Sequence, residues 1–250
     1  MNAILYIGHG TRSKKGANEA MSFLQRVIKK IDVPIQEISF LELTEPSIEE
    51  GFKRCVERGA TDITVVPIFL LAAGHIKEDI PSALNSLRDK YPNVNVTVRN
   101  PFGVQGIILD GIAELVRNVL PDFKTEDSIL IVGRGSSVPE IHHSFAKISE
   151  GIQSRLQAQH VEVCYLAATT PRIEEGLELI SEKATNRVII IPYLLFSGML
   201  LSEIHGHVRS RHRQGQNIIH TGPLTSHIAI EEVVMKSALG KEHVHAAIGY

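Results

Sequence analysis

His9, Glu42 and His75 are side chains of metal-ligating type that recur 33 residues apart (42 less 9, 75 less 42), each near the end of an apolar run. Two neutral imidazoles and a carboxylate suit a divalent first-row cation, and three protein ligands leave coordination positions open for chemistry. Fe²⁺, Co²⁺, Ni²⁺ and Zn²⁺ all fit such a set, with affinities ordered by the ion itself. Taken singly, each residue has a plainer explanation. A lone histidine after a strand is more often a hydrogen-bonded turn residue, and Glu42, between Leu41 and Leu43, could simply face water. A comparison within the chain separates the two readings.

The sequence is written twice. Ile4-Leu5-Tyr6-Ile7-Gly8-His9-Gly10 returns as Ile129-Leu130-Ile131-Val132-Gly133-Arg134-Gly135, 125 residues on (129 less 4) in a chain of 250. The same shift carries Thr44 to Gly51 onto Thr169 to Gly176 with six of eight positions identical, and Val66 to Leu70 onto Ile191 to Leu195. Matches this dense in one register imply two lobes of one fold, residues 1–122 and 123–250. Within that frame His9 becomes Arg134, Glu42 becomes Ala167 and His75 becomes Leu200. The second copy keeps the scaffold and loses the whole His/Glu/His set, so the set is expected to act as a unit in the first lobe.

The elements that must position these residues read as alternating strands and helices. Ala3 to Ile7 is almost wholly apolar, as a strand buried on both faces would be. Ala17 to Lys30 has a helical stripe, Ile35 to Leu43 reads as a strand, Ile48 to Arg58 as a helix, Ile63 to Leu70 as a strand, and Glu78 to Lys90 as a helix with Pro81 in its first turn. Val94 to Val98 completes four strands. The second half repeats the plan, with strands near 129–132, 161–166, 188–195 and 217–219. The expected architecture is α/β, two tandem similar lobes, each a doubly wound parallel four-stranded sheet with helices on both faces. Pro67 and Pro192 cannot donate a ladder hydrogen bond, so a bulge or an early strand end belongs there. Ligands of such sheets bind beyond the carboxyl ends of the strands, where His9, Glu42 and His75 would converge.

Composition narrows the partners. Apolar content of 43%, charged content of 22% and a formal charge of −2 describe a globular protein without general attraction for nucleic acid or anionic membrane. The longest apolar stretch, 188–201, is broken by Pro192 and falls short of the ~20 residues that cross a bilayer. Cys55 and Cys164 form no CxxC pair, and the amino terminus lacks a secretory pattern, so a reducing cytoplasmic setting is expected.

Gly8-His9-Gly10 and Gly133-Arg134-Gly135 are not dinucleotide fingerprints, because Ser13 and Val138 stand where GxGxxG requires glycine. These loops instead suit anions, with hydroxyls from Thr11, Ser13, Ser136 and Ser137. Arg12, Lys14, Lys15 and Arg134 are placed to meet carboxylates, the lysines serving equally well as a solvated helix start. Glu45 rivals Glu42 as the first lobe's carboxylate and also disappears from the copy, where Thr170 stands. His205, His207 and His212, among Arg209, Arg211 and Arg213, read as a basic helix face; His243 and His245 read as a loose tail.

Gly8-His9-Gly10-Thr11-Arg12, Phe40-Leu41-Glu42-Leu43 with Glu45-Pro46-Ser47-Ile48, and Pro67 to His75 with Asp79-Ile80-Pro81 resemble the class II tetrapyrrole chelatases of the sirohydrochlorin type, in their long two-lobed form. The resemblance covers essentially the whole chain, including Val132 to Ser137 and Pro192 to Leu200. It implies insertion of a divalent metal, Fe²⁺ before Co²⁺ or Ni²⁺, into sirohydrochlorin during sirohaem synthesis, without further cofactor. His9 and His75 would be the catalytic and metal-contacting pair, joined by Glu42. Leu70, Leu71, Ala72, Ala73 and Gly74 would line the macrocycle pocket. Arg12, Glu45, Arg134, Ser136 and Ser137 are further candidates for holding substrate. Long cobaltochelatases can carry a CxxC motif that this chain lacks, which favours iron. Alternatives are a cobaltochelatase of anaerobic cobalamin synthesis, a non-catalytic tetrapyrrole or metal carrier, and a metal-dependent hydrolase. An imidazole ligates metal or accepts a pyrrole proton only when neutral, so activity is expected to fall below roughly pH 6.5. With both lobes in one chain, a monomer is expected to form the cleft.

Overall fold

The structure, a computed structural model, describes residues 1–72 and 75–240, residues 75 and 76 by backbone alone. In the first repeat β1 (Asn2–Gly8), α1 (Lys14–Ile28), β2 (Ile35–Phe40), α2 (Ile48–Glu57), β3 (Asp62–Pro67), α3 (Ile80–Lys90), β4 (Asn95–Val98) and α4 (Gly106–Val119) alternate without exception. The second repeat continues with β5 (Ser128–Gly133), α5 (Pro139–Leu156), β6 (His160–Tyr165), α6 (Ile173–Lys183), β7 (Val188–Pro192), α7 (Met199–Arg213), β8 (Ile218–His220) and α8 (Ile228–Ala238). The sheets run β2-β1-β3-β4 and β6-β5-β7-β8, all parallel.

Several boundaries differ from the sequence expectation, each for a local reason. α1 begins at Lys14, three residues before the apolar stripe, because the Ser13 hydroxyl accepts from Gly16 N and caps the helix there. β2 ends at Phe40 rather than Leu43: Phe40 N donates to Pro46 O at 2.8 Å, and Leu43 takes φ 63, which no strand accommodates. β3 and β7 stop at Pro67 and Pro192 rather than Leu70 and Leu195. The residues after them take over the ladder, Ile68 N donating to Ile7 O and Tyr193 N to Val132 O, both at 2.8 Å. The early strand end required by proline is therefore the solution adopted. α3 starts at Ile80, preceded by a π-helical turn, His75–Asp79, where the sequence suggested a plain loop and a helix from Glu78.

Strand alternation sorts the core into layers. Ala3, Leu5 and Ile7 face an outer cluster with Phe52 and Leu84, while Leu130 and Val132 face its counterpart with Leu177 and Ile204. Ile4, Tyr6 and Val66 of the first sheet and Ile129, Ile131 and Ile191 of the second turn inward and join one central cluster with α1, α4, α5 and α8. This cluster is continuous because the last helix of each repeat crosses over. α4 packs on α5 and β7, and α8 packs on α1 and β3. Ion pairs mark the crossings: Arg155 to Asp110 at 2.6 Å, and Arg26 (2.9 Å) and Lys30 to the buried Glu231. Any cut of the sequence between α4 and β5 leaves α4 seated on the other repeat's sheet.

Candidate functional site

With every strand parallel, the carboxyl ends of both sheets open on a cleft of about 570 Å³ lined from both repeats. His9 comes directly after β1. Its carbonyl accepts from Glu42 N at 3.1 Å, so the chain leaving β2 is sewn to the chain leaving β1. Nδ1 of His9 stands 3.6 Å from Oε1 of Glu42, an ion-pair distance rather than a hydrogen bond. The His9 side chain is 31% exposed and that of Glu42 47%, so an ion arriving through the cleft reaches both. The His9 ring also lies 6.1 Å from that of Phe69, tilted by 49°. His75 opens the π-helical turn after β3, on the same sheet edge; its side chain lies outside the described residues, as do Ala73 and Gly74.

Arg12, Leu70 and Leu71 line the cleft from the first repeat, and Arg134 and Ser136 from the second. The remaining candidates stand apart from the described wall. Glu45 is exposed at the start of α2 beside Glu50, whose hydrogen bond and like charge push the Glu45 carboxyl up. Ala72 and Ser137 do not line the cleft. Leu43, Phe69, Tyr193 and residues 194–199 of the second repeat all line it, although sequence reasoning used them only as motif and gave them no place in the site. The 125-residue shift held the signal, since 194–197 correspond to 69–72. The second-repeat loop is fastened to α1: Ser197 N donates to Glu19 Oε2 at 3.0 Å, and Ser197 O lies 2.3 Å from where a Cβ on Gly16 would sit.

The histidines of α7 are stitched into the second lobe. The His205 and His220 rings stack at 4.4 Å, burial and then His205 holding the His220 imidazole below its ordinary value. His207 stands 3.7 Å from Glu174, and His212 Nε2 meets the Ile218 carbonyl. Among the described residues no three His, Cys, Asp or Glu side chains are grouped to hold a metal. His243 and His245 lie outside the described residues. Cys55 and Cys164 are buried, and burial pushes both thiols up to about 12, so neither supplies a thiolate.

The family model described as CbiX matches residues 3–119 and again residues 128–239. The chain belongs to the CbiX family. Its double match is the duplication seen in the sequence and in the two sheets. Among curated CbiX-like relatives, the sirohydrochlorin ferrochelatase of Priestia megaterium is 39% identical over 94% of this chain and 88% of that protein. The sirohydrochlorin cobaltochelatase of the same organism is 32% identical over 87% of this chain and 72% of that one. The solved structure of SirB from Bacillus subtilis with Fe³⁺ superposes with a TM-score of 0.86 at 33% identity, covering 96% of each chain. No helix among the described residues of this CbiX chain is long and apolar enough to cross a membrane.

Proposed function

We propose that this CbiX-family chain is a sirohydrochlorin ferrochelatase, a lyase that inserts Fe²⁺ into sirohydrochlorin on the route to sirohaem. The observation that carries the reading is the His9–Glu42 pair on the wall of a cleft built by both lobes. Likeness to the Priestia megaterium ferrochelatase supplies the substrate. Metal insertion requires stripping water from the ion, aligning it over the ring nitrogens and removing two pyrrole protons. His9 and His75, helped by Glu42, receive the ion on one face of the macrocycle. As the ion passes to the ring nitrogens and leaves the imidazole, His9 accepts one pyrrole proton and the Glu42 carboxylate steadies the imidazolium that results, while the second proton leaves to water in the cleft. Leu70 and Leu71 give the flat ring an apolar surface, and Arg12, Arg134 and Ser136 meet acid groups on its rim. The metal is a substrate, and the reading calls for no resident cofactor.

The cleft draws both walls from one chain, which supports action as a monomer. A second reading, cobalt insertion, is favoured by the likeness to the cobaltochelatase. Following sirohydrochlorin absorbance after adding Fe²⁺ or Co²⁺ tests both at once. Metallation is expected with either ion and faster with Fe²⁺. Binding of the macrocycle without metallation would overturn the enzymatic reading in favour of a carrier.

A further inference from the structure

Tyr193 is the first residue after β7 and lines the cleft, yet its phenol oxygen is buried without a hydrogen-bond partner among the described residues. Its position is fixed. The backbone donates to Val132 O at 2.8 Å, and the ring packs edge-on against Phe145 at 5.4 Å, which packs edge-on against Tyr165 at 5.2 Å. The corresponding residue of the first repeat (193 less 125) is Ile68, which also lines the cleft and is just as buried. The fold thus asks only for an apolar side chain at this point. The hydroxyl carries the cost of a desolvated, unmatched donor, which folded proteins rarely retain without a use.

We infer that the Tyr193 hydroxyl is a substrate-binding donor, recognising one carboxylate on the rim of the bound tetrapyrrole at the inner wall of the cleft. The inference rests on the proposed chelatase function and extends it. A disc carrying acid groups around its rim cannot enter edge-first without delivering one to the inner wall. Arg12 and Arg134 are exposed and serve the mouth, whereas Ile68, Ile141, Phe145 and Leu201 make the wall around Tyr193 buried and apolar. A neutral donor suits that setting in the ligand-free protein, where a buried guanidinium would stand without a counter-charge. Burial pushes the phenol above its ordinary value, so it stays protonated and donates throughout the working range. Ring nitrogens are poorer candidates, since they sit at the disc's centre, where His9 and Glu42 present the ion.

The test is Tyr193→Phe in the full chain, which keeps the ring and its Phe145 contact. Sirohydrochlorin titration is expected to show roughly tenfold weaker binding and a matching rise in KM, with kcat little changed. The melting temperature of the ligand-free variant is expected to equal or exceed that of the parent, because an unsatisfied hydroxyl has been removed. Unchanged affinity and KM would overturn the inference, as would a lower ligand-free melting temperature, which would reveal a partner for the hydroxyl inside the fold. If the parent protein itself failed to bind sirohydrochlorin, the functional reading would fall, and this inference with it; parent binding with an indifferent variant removes the Tyr193 role alone.

Discussion

The carbonyl oxygen of Glu42 lies 1.7 Å from the place where a Cβ on Gly10 would sit, and Gly10 holds φ +90. The close approach of these two backbones brings Glu42 alongside His9. The second repeat preserves it, with Gly135 at φ +92 and Ala167 O at 1.9 Å, although it has no carboxylate to place. Gly10→Ala is therefore expected to push the 41–44 segment away, cost more than ~1 kcal/mol of stability and lower the metallation rate at least tenfold. Gly135→Ala should cost similar stability with a smaller loss of rate. Thermal melts and metallation assays on the two variants check the contrast.

His9 and Glu42 should not weigh equally. If His9 has its proposed role as ligand and proton acceptor, His9→Ala is expected to lower kcat by roughly 10²- to 10⁴-fold. Glu42→Gln, which removes a charge 3.6 Å from the imidazole while keeping shape, should cost on the order of tenfold. Sirohydrochlorin affinity, measured without metal, should change far less in either variant. Comparable losses of affinity and rate would mean that the pair holds the macrocycle and does no chemistry on it.

Glu19 lies outside the metal group but anchors the second-repeat wall through Ser197 N. Glu19→Ala is expected to free that loop from α1 and raise KM about three- to tenfold, as loss of one charge-assisted hydrogen bond would, with kcat nearly intact. Steady-state kinetics at saturating metal is the measurement.

Acid should unfold the protein through two buried carboxylates. Burial opposes the charge on Glu231, but Lys30 and Arg26 outweigh it and hold the carboxyl below its usual range; burial likewise opposes the charge on Asp127, where Arg187 and the backbone N–H groups of Lys124 and Arg187 prevail. A carboxyl lowered on folding contributes stability that is complete above its unfolded value, about 4 for both types, and is lost as pH falls through the folded value. The melting temperature should therefore hold above about pH 5 and drop below about pH 4. Glu231→Gln should flatten that drop, because the group that titrates is gone. Asp127→Asn removes the buried one of the two carboxylates that pair with Arg187, Asp122 remaining at 2.9 Å, and should cost about 1–2 kcal/mol at neutral pH, read from denaturant unfolding.

Much of the fold was legible because it rests on local patterns. Apolar runs marked the strands, proline flagged an irregularity in β3 and β7 without choosing between a bulge and an early end, and the 125-residue repeat made each half a check on the other. Less legible were the features set by side-chain contacts or by backbone turning. The Ser13 cap and the positive φ of Leu43 shift helix and strand ends by several residues without disturbing hydrophobic periodicity. The crossing of α4 and α8 leaves no trace in the sequence, since an apolar helix face does not reveal which sheet will cover it.

The site divides in the same way. The sequence alone marked which residue types could meet a cation and, through their loss from the copy, which of them to expect at one edge, because a parallel sheet gathers the loops beyond its strands there. The tertiary structure alone decided that His9 and Glu42 stand 3.6 Å apart, that Glu45 belongs to the start of α2, and that the second repeat supplies a wall with Tyr193 in it. Those are distances between segments far apart in the chain. They are fixed when the two sheets close on their shared core, and no local preference encodes them.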